Sequence, residues 1–381
     1  MEICRKDKCV GCGVCEFICN SSAITMNKDP LTGFVYPIVD ESKCKKCNKC
    51  VSKCPINNVE SMVSNNILDC YAVVSKDSNI RQTSTSGGLA YCLQEKTILS
   101  GGVVFSVVSN YPNEIAVFQR IDRLEKINNT QGSKYVQANV RIIYDQIIHE
   151  LRKQKKVLVI GTPCQISAIK TITKGINTNL TTVELVCHGV SSSKILMDYI
   201  SEIKIKNDVH DIKFRDYNRT CLALLGSDQN LLYKKYVHDD LFTLAYLKSI
   251  ILRQSCYHCK FGKYNRYVAD LTIGDFWGLG EDSIFRDSYK KGVSLLLIHS
   301  ERGLQLIESL DNICMEKRAI NEAIQGNRTF NDDYLKPPYQ RNNFIKYYSL
   351  SHNVHRAIQK SIFLSILYFR LRGIIKRIIR K

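Results

Sequence analysis

Residues 9–19 read CVGCGVCEFIC and residues 44–55 read CKKCNKCVSKCP. Each stretch places four cysteines at the spacing Cys-x2-Cys-x2-Cys-x3-Cys, and a proline follows the last cysteine of the second stretch. A loop of this form can wrap around a four-iron, four-sulfur cube, bringing its thiolates onto the irons and its N–H groups toward the sulfurs. The two stretches therefore predict a small ferredoxin-like domain with two [4Fe-4S] clusters over residues 1–60.

The ligands are expected to cross between the two stretches, because the fourth cysteine of each run binds the other cluster in two-cluster ferredoxins. One predicted ligand set is Cys9, Cys12, Cys15 and Cys54, and the other is Cys44, Cys47, Cys50 and Cys19. Asn20 stands where proline usually follows the first run, which removes no ligand. A structural zinc module is the alternative, but zinc would not call for two matching four-cysteine runs. Cys4 has no partner at ligand spacing and is expected in the core or at the surface.

The composition suits an intracellular redox protein of two or three domains in 381 residues with 17 cysteines. The first residues, MEICRKDKC, contain no apolar h-region, so we expect a cytoplasmic, oxygen-poor setting where thiols stay reduced. The net charge of +18 is partly local, because residues 352–381 hold eight Lys or Arg and no Asp or Glu. No nucleic-acid-binding motif accompanies this charge, so nucleic acid is not an expected partner.

Residues 67–330 predict a larger mixed α/β domain, so the fold class is α+β or α/β. Apolar strand-like runs alternate here with helical patterns at 83–99, 140–152 and 241–252, and 211–232 is β-rich. The strands at 157–160 and 183–186 are each followed by a helical pattern, which indicates βαβ units. The other predicted strands of the chain lie at 34–39, 71–74, 102–108, 115–118, 271–273 and 293–298.

Two small-residue segments could bind an anion. Residues 84–88 (STSGG) open a helix after a strand, where N–H groups and the helix dipole favour negative charge. The alternative is an ordinary capped helix start with a glycine turn. Residues 131–136 (QGSKYV) add Lys134 beside a glycine turn, although a lysine in such a place is usually solvated.

Four later cysteines are candidate ligands of a third cluster: Cys164, Cys187, Cys256 and Cys259. Thr162 as N-cap and Pro163 at the first helical position place Cys164 in the first turn of a helix, where the dipole stabilises a thiolate. Cys187 follows the next strand, at the edge where open α/β sheets bind ligands. Because only the last pair has ligand spacing, zinc on that pair, a buried core role or no metal remain alternatives.

Residues 270–278 (DLTIGDFWG) contain Trp277, the single tryptophan of the chain. A strand that ends in this way can place Asp275 and an aromatic plane beside a flat cofactor. Asp275 is our candidate catalytic residue, as a proton donor or as a partner of that cofactor. The alternative is that Phe276 and Trp277 simply pack in the core.

Taken together and in this order, these segments resemble the β subunit of coenzyme F420 hydrogenase and dehydrogenase, in the form fused to an N-terminal ferredoxin-type domain. The resemblance covers roughly residues 1–300. It implies FAD in the large domain and strengthens the case for a third [4Fe-4S] cluster beside it. The phosphate and ribityl contacts that it implies are Ser86, Gly87, Gly88, Ser133, Lys134 and Tyr135.

The expected function is that of an iron–sulfur flavoprotein oxidoreductase. Its partners would be ferredoxin or another electron carrier, and a small organic hydride acceptor that is F420-like or of another kind. Some fused relatives are associated with surface-polysaccharide synthesis, which makes that link a further expectation. The competing hypothesis is a non-catalytic electron-transfer or scaffold protein whose large domain has lost its flavin.

Residues 350–381 predict a basic amphipathic C-terminal helix. Ile374-Ile375 and Ile378-Ile379 fall on one side of such a helix and the Lys and Arg residues on the other. This pattern suits peripheral association with the anionic inner face of a membrane. The alternative is a terminal helix docked on its own domain or on another protein. No segment has the ~20 apolar residues needed to cross a bilayer.

Overall fold

The computed structural model describes residues 1–203, 205, 208–216, 219–330 and 336–363. Its strands are β1 Ile24–Lys28, β2 Val35–Val39, β3 Asp69–Ser75, β4 Val103–Asn110, β5 Glu114–Ile121, β6 Val157–Gly161, β7 Leu180–Leu185, β8 Asp211–Asp216, β9 Arg219–Leu225, β10 Leu231–Tyr236, β11 Leu271–Asp275, β12 Ser294–Ile298 and β13 Ile313–Lys317. Its α-helices are α1 Val14–Phe17, α2 Lys49–Ser52, α3 Ser78–Thr83, α4 Leu89–Leu99, α5 Tyr144–Arg152, α6 Pro163–Ile172, α7 Ser193–Glu202, α8 Leu241–Leu247, α9 Glu301–Glu308, α10 Ile320–Gly326 and α11 Tyr339–Ser351.

An eight-stranded mixed sheet forms the centre of the large domain, in the order β13-β3-β12-β11-β7-β6-β4-β5. The four strands β11, β7, β6 and β4 run parallel to one another. Each of the outer strands runs antiparallel to its neighbour on the side of the sheet centre. Every residue of β6 and β12 is buried, as expected of apolar strands covered on both faces. The mixed α/β fold predicted from the sequence is confirmed.

The β6-α6-β7 unit confirms the predicted βαβ connection. Thr162 caps α6 and Pro163 occupies its first position, where the missing N–H costs no helical bond. The side chain of Gln165 accepts a hydrogen bond from the N–H of Thr162 at 2.9 Å. Cys164 therefore lies in the first helical turn, as its neighbours in sequence predicted.

The predicted helix over 83–99 is interrupted in the structure. α3 ends at Thr83 and α4 begins at Leu89, because the segment between them bonds to the sheet. Gly87 accepts from the N–H of Ser75 at 2.7 Å and donates to Oγ of Ser294 at 3.0 Å. A Cβ at Gly87 would lie 2.2 Å from the carbonyl oxygen of Val73, so this close approach requires glycine.

Two further predictions of local structure are refined. The helix predicted over 241–252 ends at Leu247, where α8 ends. The β-rich segment 211–232 forms a separate antiparallel sheet in the order β10-β9-β8. A 3₁₀ helix over Gln254–His258 follows α8.

The N-terminal module contains the antiparallel pair β1-β2 and the short helices α1 and α2. Its first cysteine run packs against the large domain. The hydroxyl of Tyr144 donates to the carbonyl of Cys12 at 2.7 Å, and the amide of Gln137 donates to the carbonyl of Val10 at 2.7 Å. The module is thus bonded to the segment that leads into α5.

The beginning of the predicted C-terminal helix is docked on the core. Residues 354–363 are helical, and the Glu202 carboxylate accepts from the N–H groups of Val354 and His355 at 2.6 and 2.7 Å. Ala357, Ile358 and Ile362 are buried. Residues 364–381, which hold the basic amphipathic pattern, lie outside the described residues. Among the described helices, none combines the length and apolar character needed to cross a bilayer.

Candidate functional site

The carboxyl ends of the parallel strands meet at one edge of the sheet, where open α/β folds bind ligands. A cavity of about 530 Å³ lies at this edge, within the size range of small-molecule and cofactor sites. Its walls include the ends of β6, β7 and β11, residues 84–86 and 88–91, and residues 130–136. The structure therefore brings together the segments that the sequence analysis singled out separately.

Most of the residues predicted to bind the cofactor face this cavity. Those lining it are Ser86, Gly88, Ser133, Lys134, Tyr135 and Asp275. Gly87 lies behind the wall, packed on β3 and β12 as described above. Close backbone packing explains why Gly87 is glycine, and the residues on either side of it line the cavity.

Lys134 brings a cation into the cavity wall. Its Nζ donates to the carbonyls of Thr130 and Gln131 at 2.8 and 2.9 Å. Burial lowers the pKa of Lys134 to about 7, since a charged amine away from water is disfavoured. No carboxylate in the described parts of the chain forms an ion pair with Lys134. A bound anion would supply the missing negative charge.

Asp275 at the end of β11 is paired with Arg215 of β8. Burial raises the pKa of the Asp275 carboxyl, and the Arg215 guanidinium opposes that shift. The guanidinium also lies 5.5 Å from the ring centroid of Trp277. Trp277 is 44% exposed whereas Phe276 is buried, so the core alternative applies to the phenylalanine and not to the tryptophan.

Arg215 and Tyr246 were not anticipated from the sequence. The ring of Tyr246 stacks on that of Tyr135, with centroids 4.5 Å apart and planes inclined by 10°. Both tyrosines line the cavity, so this stacked pair gives the cavity an aromatic side. In the sequence Arg215 lies in an unremarkable strand, and Tyr246 lies in a helix that carries no motif, so neither had a local signal.

The four later cysteines come together beside the cavity. Burial raises the pKa of the Cys187 thiol, and Cys164, Cys256 and Cys259 lie close enough for their charges to raise it further. Cys187 also lines the cavity. Burial raises the pKa of all four thiols. A metal centre would displace the thiol protons of these four cysteines, because cysteine binds metal as the thiolate. The donor set fits a [4Fe-4S] cluster.

The N-terminal cysteines lie in two neighbouring groups. Cys9, Cys12, Cys15 and Cys54 line one small pocket, and Cys50 is in electrostatic contact with Cys19 and Cys44. The N–H of Gly11 donates to the sulfur of Cys9, which is how cluster-binding loops orient their backbone. We call these the inner set (Cys9, Cys12, Cys15, Cys54) and the outer set (Cys19, Cys44, Cys47, Cys50). In the described parts of the chain, no three Cys, His, Asp or Glu side chains are arranged as ligands of a single metal ion.

Cys4 lies with the inner set, which the sequence analysis missed. It lines the same pocket, and hydrogen bonds to Cys54 and Cys9 raise the pKa of its thiol. The hydrogen bond with Cys4 is the main cause that lowers the pKa of Cys9, and the charge of the nearby Arg253 guanidinium contributes less. Its separation from Cys9 does not match ligand spacing, so no sequence pattern pointed to it.

The three cysteine sets and the cavity are neighbours in the order outer set, inner set, later set and cavity. The outer and inner sets pack in one apolar cluster. Tyr144 is in electrostatic contact with Cys12 and Cys15 of the inner set and with Cys164 of the later set. The later set reaches the cavity through Cys187. At the other end, Cys47 of the outer set is exposed. This order leads from the surface to the cavity.

Comparison with known proteins agrees with this architecture. Residues 154–323 match the family model that describes the C-terminal part of the beta subunit of coenzyme F420 hydrogenase/dehydrogenase. Residues 8–58 match the model of the 4Fe-4S dicluster domain. The two matches together cover the inner and outer sets and all four later cysteines.

Individual relatives carry names of the same kind. The chain is 24% identical over 290 residues to a subunit of the F(420)H(2) dehydrogenase of Methanosarcina mazei, covering 72% of this chain and 77% of that protein. Its fold is similar to one of the proteins in the structure of the F420-reducing [NiFe] hydrogenase complex from Methanosarcina barkeri. That match has a TM-score of 0.50 at 17% identity, and covers 70% of this chain and 90% of the other. Over residues 154–323 the chain therefore belongs to the family of coenzyme F420 hydrogenase/dehydrogenase β subunits, and over residues 8–58 it carries a 4Fe-4S dicluster domain; together these matches support an iron–sulfur oxidoreductase.

Proposed function

We propose that this protein exchanges electrons between a one-electron carrier and an organic hydride acceptor, using FAD and three [4Fe-4S] clusters as cofactors. The observation that supports this most strongly is the continuous order of exposed outer set, inner set, later cysteines and cavity. When bound, the clusters supply one-electron transfer and the flavin supplies hydride transfer. The protein contributes their positions, their surroundings and the exclusion of water.

The cavity residues suit a flavin nucleotide. Lys134 offers a cation without a carboxylate partner in the described chain, next to the small residues 84–88 that precede α4. A pyrophosphate fits such a place, because it brings negative charge to N–H groups and a cation. The stacked rings of Tyr135 and Tyr246 offer a flat surface suited to an aromatic cofactor.

The Asp275–Arg215 pair would set polarity at the end of the cavity where β11 stops. Burial disfavours the ionised form of this carboxyl, and the neighbouring guanidinium favours it. In this proposal Asp275 orients a hydrogen-bond donor of the cofactor or of the acceptor. The relatives' names make an F420-like deazaflavin the first acceptor to assay.

Iron and flavin content, measured on protein purified without oxygen, tests the proposal. We expect about twelve irons and one flavin per chain, with flavin absorbance near ~450 nm that bleaches on reduction. About eight irons without flavin would instead support the carrier or scaffold hypothesis.

Site variants refine the test. Cys187→Ser should lower the iron content by about four per chain while the spectrum of the other clusters remains. Cys314→Ser, at an exposed cysteine outside all three sets, is the matched control and should change nothing. An unchanged iron content in Cys187→Ser would remove the third cluster from the proposal.

A further inference from the structure

The two cysteine runs share one backbone form but differ in the residues between their cysteines. Gly11 and Gly13 have positive φ angles of 67° and 75° in the first run. The equivalent positions of the second run are Lys46 and Asn48, with φ angles of 53° and 56°. The outer loop thus adopts the same left-handed turns without glycine.

The first cysteine run, which forms the inner loop, needs glycine because the large domain packs closely against it. A Cβ at Gly11 would lie 2.9 Å from Nη2 of Arg253, and one at Gly13 would lie 2.9 Å from Cβ of Arg141. Side chains at these two positions would therefore separate the module from the large domain. The inner set faces inward.

The outer loop shows the opposite situation, because nothing in the described chain covers it. Lys45, Lys46, Cys47, Asn48 and Lys49 are all exposed. A lysine with positive φ is uncommon, since its Cβ crowds the backbone. Its presence at residue 46, where glycine would relieve that strain, points to a use for the charge.

The charge along the second cysteine run is concentrated and of one sign. Residues 43–53 contain five lysines and no Asp or Glu. Lys43 pairs with Asp40 at 3.1 Å, whereas the other four form no ion pair with a carboxylate in the described residues. These four, Lys45, Lys46, Lys49 and Lys53, are exposed, and we call them the lysine ring.

We propose that the lysine ring is the docking surface for a small acidic electron-carrier protein, which exchanges electrons at the outer set. The inference rests on the proposed function, because it assumes a cluster on the outer set. Opposite charge on the partner would steer encounter and orient its redox centre toward the exposed Cys47. An anionic membrane or a nucleic acid would also be attracted, but neither would have a use for a redox centre beside these lysines.

The test measures how fast a reduced acidic [2Fe–2S] ferredoxin, used as the probe, reduces the clusters of the purified protein. The double variant Lys46→Glu/Lys49→Glu should lower the second-order rate constant at low ionic strength by about tenfold or more. Lys153→Glu/Lys156→Glu is the matched control, because these exposed lysines precede β6 and the change in net charge is identical. It should stay within about twofold of the unmodified protein.

A second variant separates charge from folding. Lys46→Gly removes one charge and the backbone strain of a non-glycine residue at positive φ. Its iron content and melting temperature should equal those of the unmodified protein, while its rate of reduction by the ferredoxin falls.

Raising the ionic strength should bring the rate constants of the unmodified protein and the ring variants together. The rate is followed at the iron–sulfur absorbance, so a missing flavin leaves the measurement possible, and absent iron would reject the proposed function instead. Equal slowing by the ring and control pairs, or a rate independent of salt, would overturn the docking surface. So would ring variants that lose binding to anionic vesicles or to nucleic acid while the ferredoxin rate stays unchanged.

Discussion

The guanidinium of Arg253 donates through Nε to the backbone carbonyl of Cys9 at 2.9 Å, across 244 positions of the chain. The same side chain donates to Oε1 of Gln137 at 3.0 Å and to the carbonyl of Val35 at 2.7 Å. It is 1% exposed and lies three residues before Cys256. Arg253 therefore joins the inner set to the segment that carries Cys256, and besides these three oxygen acceptors it bonds the Cys9 side chain.

Replacing Arg253 with methionine should destabilise the protein by about 3 kcal/mol or more. The reason is that three acceptors would lose their donor in a buried place. Thermal unfolding and iron content under nitrogen would measure the effect, and iron should be lost at a lower temperature. Arg141→Met is the control, since Arg141 is partly exposed and its ion pairs with Glu16 and Asp145 are 3.5 and 3.3 Å long. It should cost at most about 1 kcal/mol, and equal losses in both variants would contradict this assignment.

Paired serine substitutions should distinguish the crossed from the uncrossed assignment of ligands. Cys12→Ser/Cys54→Ser removes two ligands of the inner set and should cost about four irons per chain. Cys12→Ser/Cys19→Ser removes one ligand from each set and should cost about eight. Iron analysis with EPR spectra of the reduced protein would measure both. The reverse result, eight irons lost in the first pair and four in the second, would establish uncrossed ligation.

Flavin binding should weaken as the pH rises through about 7. Burial lowers the pKa of Lys134 to about 7 in the ligand-free protein, so the cation that attracts a phosphate is present below that pH and is lost above it. The affinity of flavin-depleted protein for FAD should fall by up to about tenfold per pH unit above 7. Fluorescence titration from pH 6 to 9 would follow this. Lys134→Met should bind weakly at every pH and Lys153→Met should behave as the unmodified protein, whereas a flat profile in the unmodified protein would argue against a Lys134–phosphate contact.

Two truncations should separate the docked from the undescribed part of the C-terminal region. Removing residues 364–381 leaves the packing of Val354, Ile358 and Ile362 intact, so the melting temperature and iron content should hold. Removing residues 352–381 also removes these three buried side chains, at about 1.5–3 kcal/mol each. The shorter deletion is therefore the one that tests membrane association, by sedimentation with anionic vesicles. Equal stability of the two truncated proteins would show that the contacts of residues 354–363 contribute little.

Motifs defined by neighbouring residues were predictable because their physics is local. A strand followed by Thr162 and Pro163 is sufficient to begin a helix and to place Cys164 in its first turn, and the structure agrees. The helix predicted over 83–99 failed for the opposite reason. Its break is stabilised by Ser75 and Ser294, which belong to two strands distant in sequence from each other, and no local propensity contains that information.

The candidate site shows the same division. Lys134, Tyr135 and Asp275 were found because each stands in a recognisable segment. Arg215 and Cys4 were missed, since each becomes meaningful only through a distant partner. Arg215 meets Asp275 across 60 positions, and Cys4 meets Cys54 across the whole N-terminal module.

By itself the sequence determined which eight cysteines of the first 60 residues form the two runs, because their fixed spacing marks each run as a cluster-binding loop. It also determined the alternation of strands and helices, because hydrophobic periodicity reflects burial on one or both faces. The tertiary structure alone decided that one cysteine run is covered by Arg253 while the other is exposed among lysines. It also decided that the cavity lies next to the later cysteines. Such relationships depend on packing between segments hundreds of residues apart, which no local pattern records.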